Sequence, residues 1–500
     1  MSIKWKIPDP RGFTGDIPAS QVWSGTRRSL SSVDDLLLGW KLEPEVFRQR
    51  RRRLEEGRRD VLGSTGSSLD QRLMNEAKSD LSSAIHYAED KHLMTFAPTG
   101  SGKGVSVIIP NLLHYGGPAI VIDPKGENFS VTARYRKQVL GHEIHLLDPF
   151  RSVGEKEMER AGVQRGRLDP LDLWKVSTTD TTNDAQMLAE ILGGEATNSQ
   201  NPFWDLQGRK IISGVIAHRL ERRKVTNVAP SFTDVVNDIY SADFEERIRA
   251  LYNTEQPTGF VERTLVGGFT SISADETRAG MLSTAQSYLS LFVSKEIQNS
   301  LKDSTIDLPS IQRADRSTIY IVVPPDKLKS HSRLLKLWIG VLMHTIMSRK
   351  SRPNERTLFI LDECANLGYL EALETAVTLL RGYGLQVWMF FQDLSQVTSL
   401  YRGASPTMIN NCGVVQTFGL TRLSQAQELA AILGKFDAGE LLRLDQTQQA
   451  LSVGKTVQSG ELFRYFSDAA FSGRFDPNHL HAGLDRRKPS FADFLKTRLQ

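Results

Sequence analysis

LMTFAPTGSGKG, Leu93 to Gly104, runs from a short apolar segment into a glycine-rich turn that ends in a lysine. A phosphate-binding loop reads G-x-x-x-x-G-K-[ST] between a strand and a helix. Gly100 and Gly102 let the backbone turn so that successive N–H groups face a phosphate. The helix that follows points its positive end at the same place. Lys103 then reaches the β and γ phosphates as a point charge. The expected nucleotide contacts are Thr99, Gly100, Ser101, Gly102, Lys103 and Gly104.

Two positions depart from the pattern. Ala97 stands where the first glycine is usual, a mild change. Gly104 stands where Ser or Thr offers a hydroxyl to Mg²⁺, a more serious one. Ser101, Ser106 and water are the alternatives for that ligand. With no ligand at all, the stretch reads as a plain strand-to-helix turn. Pro110 lies in the helix that follows, which predicts a kink or stop near Ile109.

Further apolar runs end, like the first, at polar or glycine residues. They are AIVID (119–123), IHLLD (144–148), TIYIVV (318–323), TLFILD (357–362), QVWMFF (386–391) and VVQTFG (414–419). None alternates apolar with polar residues, so each predicts a strand buried on both faces of a parallel sheet. Helical stretches such as LEALETAVTLLRGYG lie between them, and the alternation predicts an α/β doubly wound domain. The gap from Asp148 to Thr318 is far longer than a crossover. In NPFWDLQGRKIISGVIAHRLERR, SFTDVVNDIY and TAQSYLSLFVSKEIQNSL the apolar residues recur three and four apart. The expected division is a polar, Arg-rich extension (1–88), a nucleotide-binding domain in two parts (89–174 and 306–485), an all-helical insertion (175–305) and a tail (486–500).

TLFILDE places Asp362 and Glu363 at the end of a strand. The aspartate there can hold Mg²⁺ or its water shell. Glu363 can polarise the water that attacks the γ-phosphate. A solvated acidic turn is the bland alternative, weakened by the phosphate loop in the same unit. Gln392 follows the next strand and can hydrogen-bond the γ-phosphate or the attacking water; it can also be a surface amide. Arg381, in LLRGYG, is either an arginine finger for a neighbouring subunit or an exposed helix-end arginine. VIDPKGEN, with Asp123, Lys125 and Glu127, is an accessory site or a turn held by its own ion pairs.

The 500 residues are 40% hydrophobic and 24% charged, a globular balance that suits two or three units. A net charge of +4 does not by itself argue for nucleic acid. Two cysteines, Cys364 and Cys412, exclude a disulfide framework and fit a reducing cytosol. The start, MSIKWKIPDP, is not a signal peptide, and no stretch predicts a transmembrane helix. The run FRQRRRRLEEGRRD carries Arg48, Arg50 to Arg53, Arg58 and Arg59. It reads as a solvated helix face partly neutralised by Glu55 and Glu56, or as a patch for phosphate or anionic lipid. GSTGSSLD, Gly63 to Asp70, predicts a linker.

Taken together, these stretches resemble the coupling proteins of type IV secretion and conjugation systems, the TraG/TraD family. The matching pieces are APTGSGKGVSVIIPNLLHYGGPAIVIDPKGEN, NPFW, IYIVVPPDKLKSHSRLLKLWI, LFILDECANLGYLEALETAVTLLRGYGLQVWMFFQDLSQ and ELFRYFSD, from Leu93 to Asp468. Members of that family also depart at the Gly104 position. The resemblance implies a RecA-like P-loop NTPase with an inserted all-α domain. It implies a ring, usually hexameric, with ATP and Mg²⁺ at subunit edges. It implies a motor that passes relaxase-bound DNA or effector proteins to channel components. The DNA is then held by its backbone and not by sequence. Gly100, Ser101, Gly102 and Lys103 carry over to the phosphate loop, Asp362 and Glu363 to the acidic pair, Gln392 to the glutamine, and Arg381 more weakly. The family usually has N-terminal transmembrane helices. The expectation for this chain is therefore a separate membrane partner protein at the cytoplasmic face of the inner membrane, or a soluble variant.

Two other functions fit the residues. One is a substrate-recruiting adaptor that binds nucleotide with little turnover, which Gly104 favours. The other is a cytosolic DNA translocase of the HerA/FtsK type.

Overall fold

The computed structural model describes residues 34–41, 78, 81–193, 202–254, 259–478 and 480. The Arg48–Arg59 cluster, the 63–70 linker and the 486–500 tail lie outside the described residues. Eleven strands form one sheet among them. They are β1 (Leu36–Lys41), β2 (Ala84–Tyr87), β3 (His92–Phe96), β4 (Ala119–Ile122), β5 (Glu143–Leu147), β6 (Ser317–Ile321), β7 (Thr357–Leu361), β8 (Leu385–Phe391), β9 (Cys412–Thr417), β10 (Gln448–Val453) and β11 (Thr456–Glu461). The order across the sheet is β2-β1-β11-β10-β9-β3-β8-β7-β4-β6-β5.

From β9 to β5 every pairing is parallel. These seven strands are the seven apolar runs of the sequence. Their lack of alternation follows from burial on both faces. On β7, Phe359 and Leu361 join the core on one side, and Leu358 and Ile360 the core on the other. The remaining pairings, from β9 through β10, β11 and β1 to β2, are antiparallel. β1 lies inside the stretch read as a polar extension, yet Leu36, Leu37, Leu38 and Trp40 are all buried. Its Leu37 is gripped by Asn111, whose side chain accepts from Leu37 N–H at 2.7 Å and donates to Leu37 C=O at 2.8 Å.

Helices cover both faces, and those between β5 and β6 build one side. Helix Pro202–Thr226 packs against helices Thr181–Leu192 and Asp275–Leu289. Its buried face, including Ile211, Ile212, Val215 and Ile216, is continuous with the core that contains Met94 and Phe96 of β3. TAQSYLSLFVSKEIQNSL is not one helix. It breaks into a 3₁₀ turn, Ser290–Val293, and a second helix, Lys295–Ser300. Helix Ser332–Met347 returns the chain to the sheet and is buried along most of its length. Among the described residues, no helix is long and apolar enough to cross a membrane.

Candidate nucleotide-binding site

A parallel strand leaves its last residue and the following turn at the C-terminal edge of the sheet, where ligands of open α/β sheets bind. Four of the sequence-predicted residues meet there. β3 delivers the phosphate loop, β7 delivers Asp362 and Glu363, and β8 delivers Gln392. Lys103 Nζ donates to Glu363 Oε1 at 3.0 Å and to Ala97 C=O at 3.1 Å. Gln392 Nε2 donates to the other oxygen, Glu363 Oε2, at 2.9 Å. Lys103 is only 7% exposed, so these oxygens, or a ligand in their place, supply the hydrogen bonds that water does not.

The two strands carrying the loop and the acidic pair are not neighbours. β8 lies between β3 and β7. The chain order of these segments hides this, because β8 follows β7 in sequence. Gln392 therefore occupies the middle of the site.

Gly100 and Gly102 both have positive φ, +80° and +93°, which the loop conformation requires. Ser101 closes the loop by donating its hydroxyl to Pro98 C=O at 2.7 Å. Gly419, just beyond β9, passes so close beneath that a Cβ there would lie 2.8 Å from Ser101 Cβ. The helix after the loop starts as a π-helical turn, Gly104–Ile108, and continues as α-helix, Ile109–Leu112. The change falls just before Pro110, whose missing N–H cannot continue the α pattern.

Glu363 has φ +54°, the left-handed region, which costs a non-glycine residue of order 1–3 kcal/mol. It follows β7 by two residues and caps the 3₁₀ turn Cys364–Leu367. Such strain is held where surrounding contacts fix the residue, and here Lys103 and Gln392 take both carboxylate oxygens.

Asp362 accepts from Glu363 N–H at 3.0 Å. Burial pushes its carboxyl up to about 6; Lys103 works against this and Glu363 reinforces it. Asp123, at the tip of β4, is pushed up to about 7, again by burial first. Its carboxylate accepts from Phe129 N–H at 2.9 Å and from Asn128 Nδ2 at 3.3 Å. Hydrogen bonds, not ion pairs, thus hold the Asp123 end of the VIDPKGEN turn.

Arg381 is not brought to this edge. It sits on the 3₁₀ turn Leu380–Tyr383 before β8 and pairs with Asp90 at 2.6 Å, ahead of β3. That is the opposite end of the strands, roughly 17 Å away along a five-residue strand. Thr99, at the exposed tip of the loop, sits beside Gly100, where no atom would crowd a Cβ.

Comparison with known proteins shows a family and a fold. A family model described as type IV secretory system conjugative DNA transfer matches residues 51–438. The conjugal transfer protein TraG of Escherichia coli is 26% identical over 368 residues, covering 70% of this chain and 56% of its own length. The type IV secretion system-coupling protein VirD4 of Bartonella quintana is 25% identical over 388 residues, covering 73% and 56%. The chain spans about half the length of the curated relatives it matches. Among solved structures, the conjugative coupling protein TrwB superposes with a TM-score of 0.57 at 18% identity, over 75% of this chain and 86% of that one. The likeness shows the fold, a RecA-like P-loop sheet with helices inserted. The chain belongs to the type IV secretory system conjugative DNA transfer family.

Proposed function

We propose that the chain is an ATP-hydrolysing motor that moves DNA, or DNA with attached protein, toward a type IV secretion channel. The convergence of Lys103, Glu363 and Gln392 at the tips of three consecutive strands carries this reading. A γ-phosphate entering the loop meets Lys103, which exchanges Glu363 for phosphate oxygens. Glu363 is then released to accept a proton from, and orient, the attacking water. Gln392 stays within reach of both. Asp362 offers the hard oxygen that Mg²⁺ prefers, and a cation held there would neutralise charge on the phosphoryl group. Structures of TrwB with the ATP analogue ADPNP and with ADP and Mg²⁺ support ATP and Mg²⁺ as the ligands.

The division we propose is a nucleotide-binding body (89–174 and 306–485) with a helical insertion (175–305). A homo-hexameric ring, a relaxase or effector cargo, channel components and a membrane partner belong to the same proposal. They are supported by family membership. In such a ring Arg381 acts on the neighbouring subunit's site, since its own chain keeps it at the far edge of the sheet. The test is the ATPase rate of purified protein with and without single- and double-stranded DNA. DNA-stimulated hydrolysis is expected. Nucleotide binding with no turnover in an assembled ring favours the adaptor reading, for which Gly104 is the specific ground.

A further inference from the structure

Gly104 has no hydroxyl to offer a cation, and the space its side chain would enter is bordered by a carboxylate. A Cβ built on Gly104 would lie 3.6 Å from Glu127 Oε2 and 3.9 Å from Oε1. A serine hydroxyl would extend about one bond into that gap, and a bound Mg²⁺ sits about 2 Å from its oxygen ligands. Glu127 therefore approaches from the far side the same volume that a loop hydroxyl would serve.

The carboxylate is held for this position. Glu127 begins helix Glu127–Gln138, directly after the turn that leaves β4, and is 9% exposed. Asn478, more than three hundred residues later, donates from Nδ2 to Glu127 Oε1 at 2.6 Å and to Tyr465 Oη at 3.1 Å. Oε1 is thereby fixed, and Oε2 is the oxygen nearest the phosphate loop. β4 and β7 are parallel neighbours, so the turn that leads into Glu127 and the tip that carries Asp362 leave the same edge of the sheet. Oxygen donors of this kind are what a hard divalent cation takes.

We propose that Glu127 is the cation ligand that replaces the missing loop hydroxyl, and that Asn478 is a positioning residue that orients it. The assignment rests on the nucleotide-site reading above. A charged oxygen arriving from β4 then does what a neutral oxygen from the loop does elsewhere. A glycine at 104 keeps the approach open.

The probe is Mn²⁺ binding, followed by electron paramagnetic resonance, with a non-hydrolysable ATP analogue present. Glu127→Gln keeps the volume and the acceptor for Asn478. It is expected to weaken Mn²⁺ binding on the order of 10–100-fold, while analogue binding without metal is unchanged. Glu127→Asp withdraws the oxygens by about one bond and should shift affinity the same way. Gly104→Ser has ordinary contact distances to accommodate it. Added to Glu127→Gln it should restore most of the lost affinity. Asn478→Ala should give a smaller loss in a chain with an unchanged melting profile. Unchanged Mn²⁺ affinity in Glu127→Gln and Glu127→Asp, in a parent chain that binds both ligands, overturns the role of Glu127 alone. A parent chain that binds neither the analogue nor Mn²⁺ overturns the nucleotide reading as well.

Discussion

Lys103 and Glu363 face each other at 3.0 Å across the tip of β8, the strand that separates their own. The ammonium and the carboxylate hold each other in place until a phosphate competes for the lysine. Lys103→Ala removes the phosphate ligand and frees Glu363 from its ion pair. We expect ATP turnover to fall by at least ~10²-fold, the scale of losing one preorganised charge at a reacting centre. Its charged end is bound by Glu363 and the Ala97 carbonyl at the mouth of the site, so circular dichroism should show an intact fold. Turnover equal to the parent's would remove the assignment.

Glu363→Gln keeps the shape but loses the base. ATP should still bind, and hydrolysis should slow by about 10²–10⁴-fold. Mixed rings extend the test to Arg381. Combining Arg381→Ala with Glu363→Gln subunits leaves some interfaces with both groups native, so activity above that of either pure variant is expected. Mixtures that only average the two rates would place Arg381 outside the site altogether, as a surface partner of Asp90.

The raised carboxyl of Asp362 sets a pH dependence. It takes up a proton more readily in the folded chain than in the unfolded one. Its contribution to stability is therefore present below the ordinary aspartate value of 3.8 and lost as pH rises through about 6. Asp362→Asn removes that loss. Above pH 6 the ligand-free variant should be more stable than the parent by on the order of 1–2 kcal/mol, allowing for partial exposure. Below 3.8 the two should converge. Denaturant unfolding across this range is the measurement. A variant less stable than the parent at neutral pH would show that Asp362 is held as a favourable charge.

Arg136, on helix Glu127–Gln138, is completely buried with its guanidinium against the end of the phosphate-loop helix. It donates to the carbonyls of Leu112, Tyr115 and Gly117 at 2.8–2.9 Å and to Thr318 Oγ1 at 2.7 Å. Arg136→Met fills similar space but leaves three buried carbonyls unanswered. A loss of about 3–5 kcal/mol is expected, read from the urea midpoint. A shift below ~1 kcal/mol would mean that water enters to replace the guanidinium.

The parallel strands were legible because burial on both faces writes them as unbroken apolar runs. β10 and β11, QQALSV and TVQSGE, carry no such signal. They pair antiparallel, and polar residues fall on both of their faces. Gln449 and Gln416 look like surface amides in the sequence. In the fold they are buried, with Thr95 donating to Gln416 at 2.7 Å. Lys103, Asp362, Glu363 and Gln392 were legible as strand-end residues. The place of β8 between β3 and β7 was not, because pairing order is not chain order. The left-handed backbone of Glu363 was also invisible, since nothing in the residue type marks it. The meeting of Glu127 with Asn478 depends on tertiary contact across most of the chain and leaves no local pattern.

Asn111 binds the backbone of Leu37 through both halves of its amide, as a neighbouring strand would. It does so from the helix that begins at the phosphate loop. If that helix rolls when nucleotide enters or leaves, β1 must travel with it, or two buried hydrogen bonds must break at a cost of about 1–3 kcal/mol each. The antiparallel wing of the sheet is thus geared to the loop by the Asn111 amide together with the apolar packing of β1 on the same helix, so a change at the nucleotide loop has a mechanical outlet at the far side of the sheet.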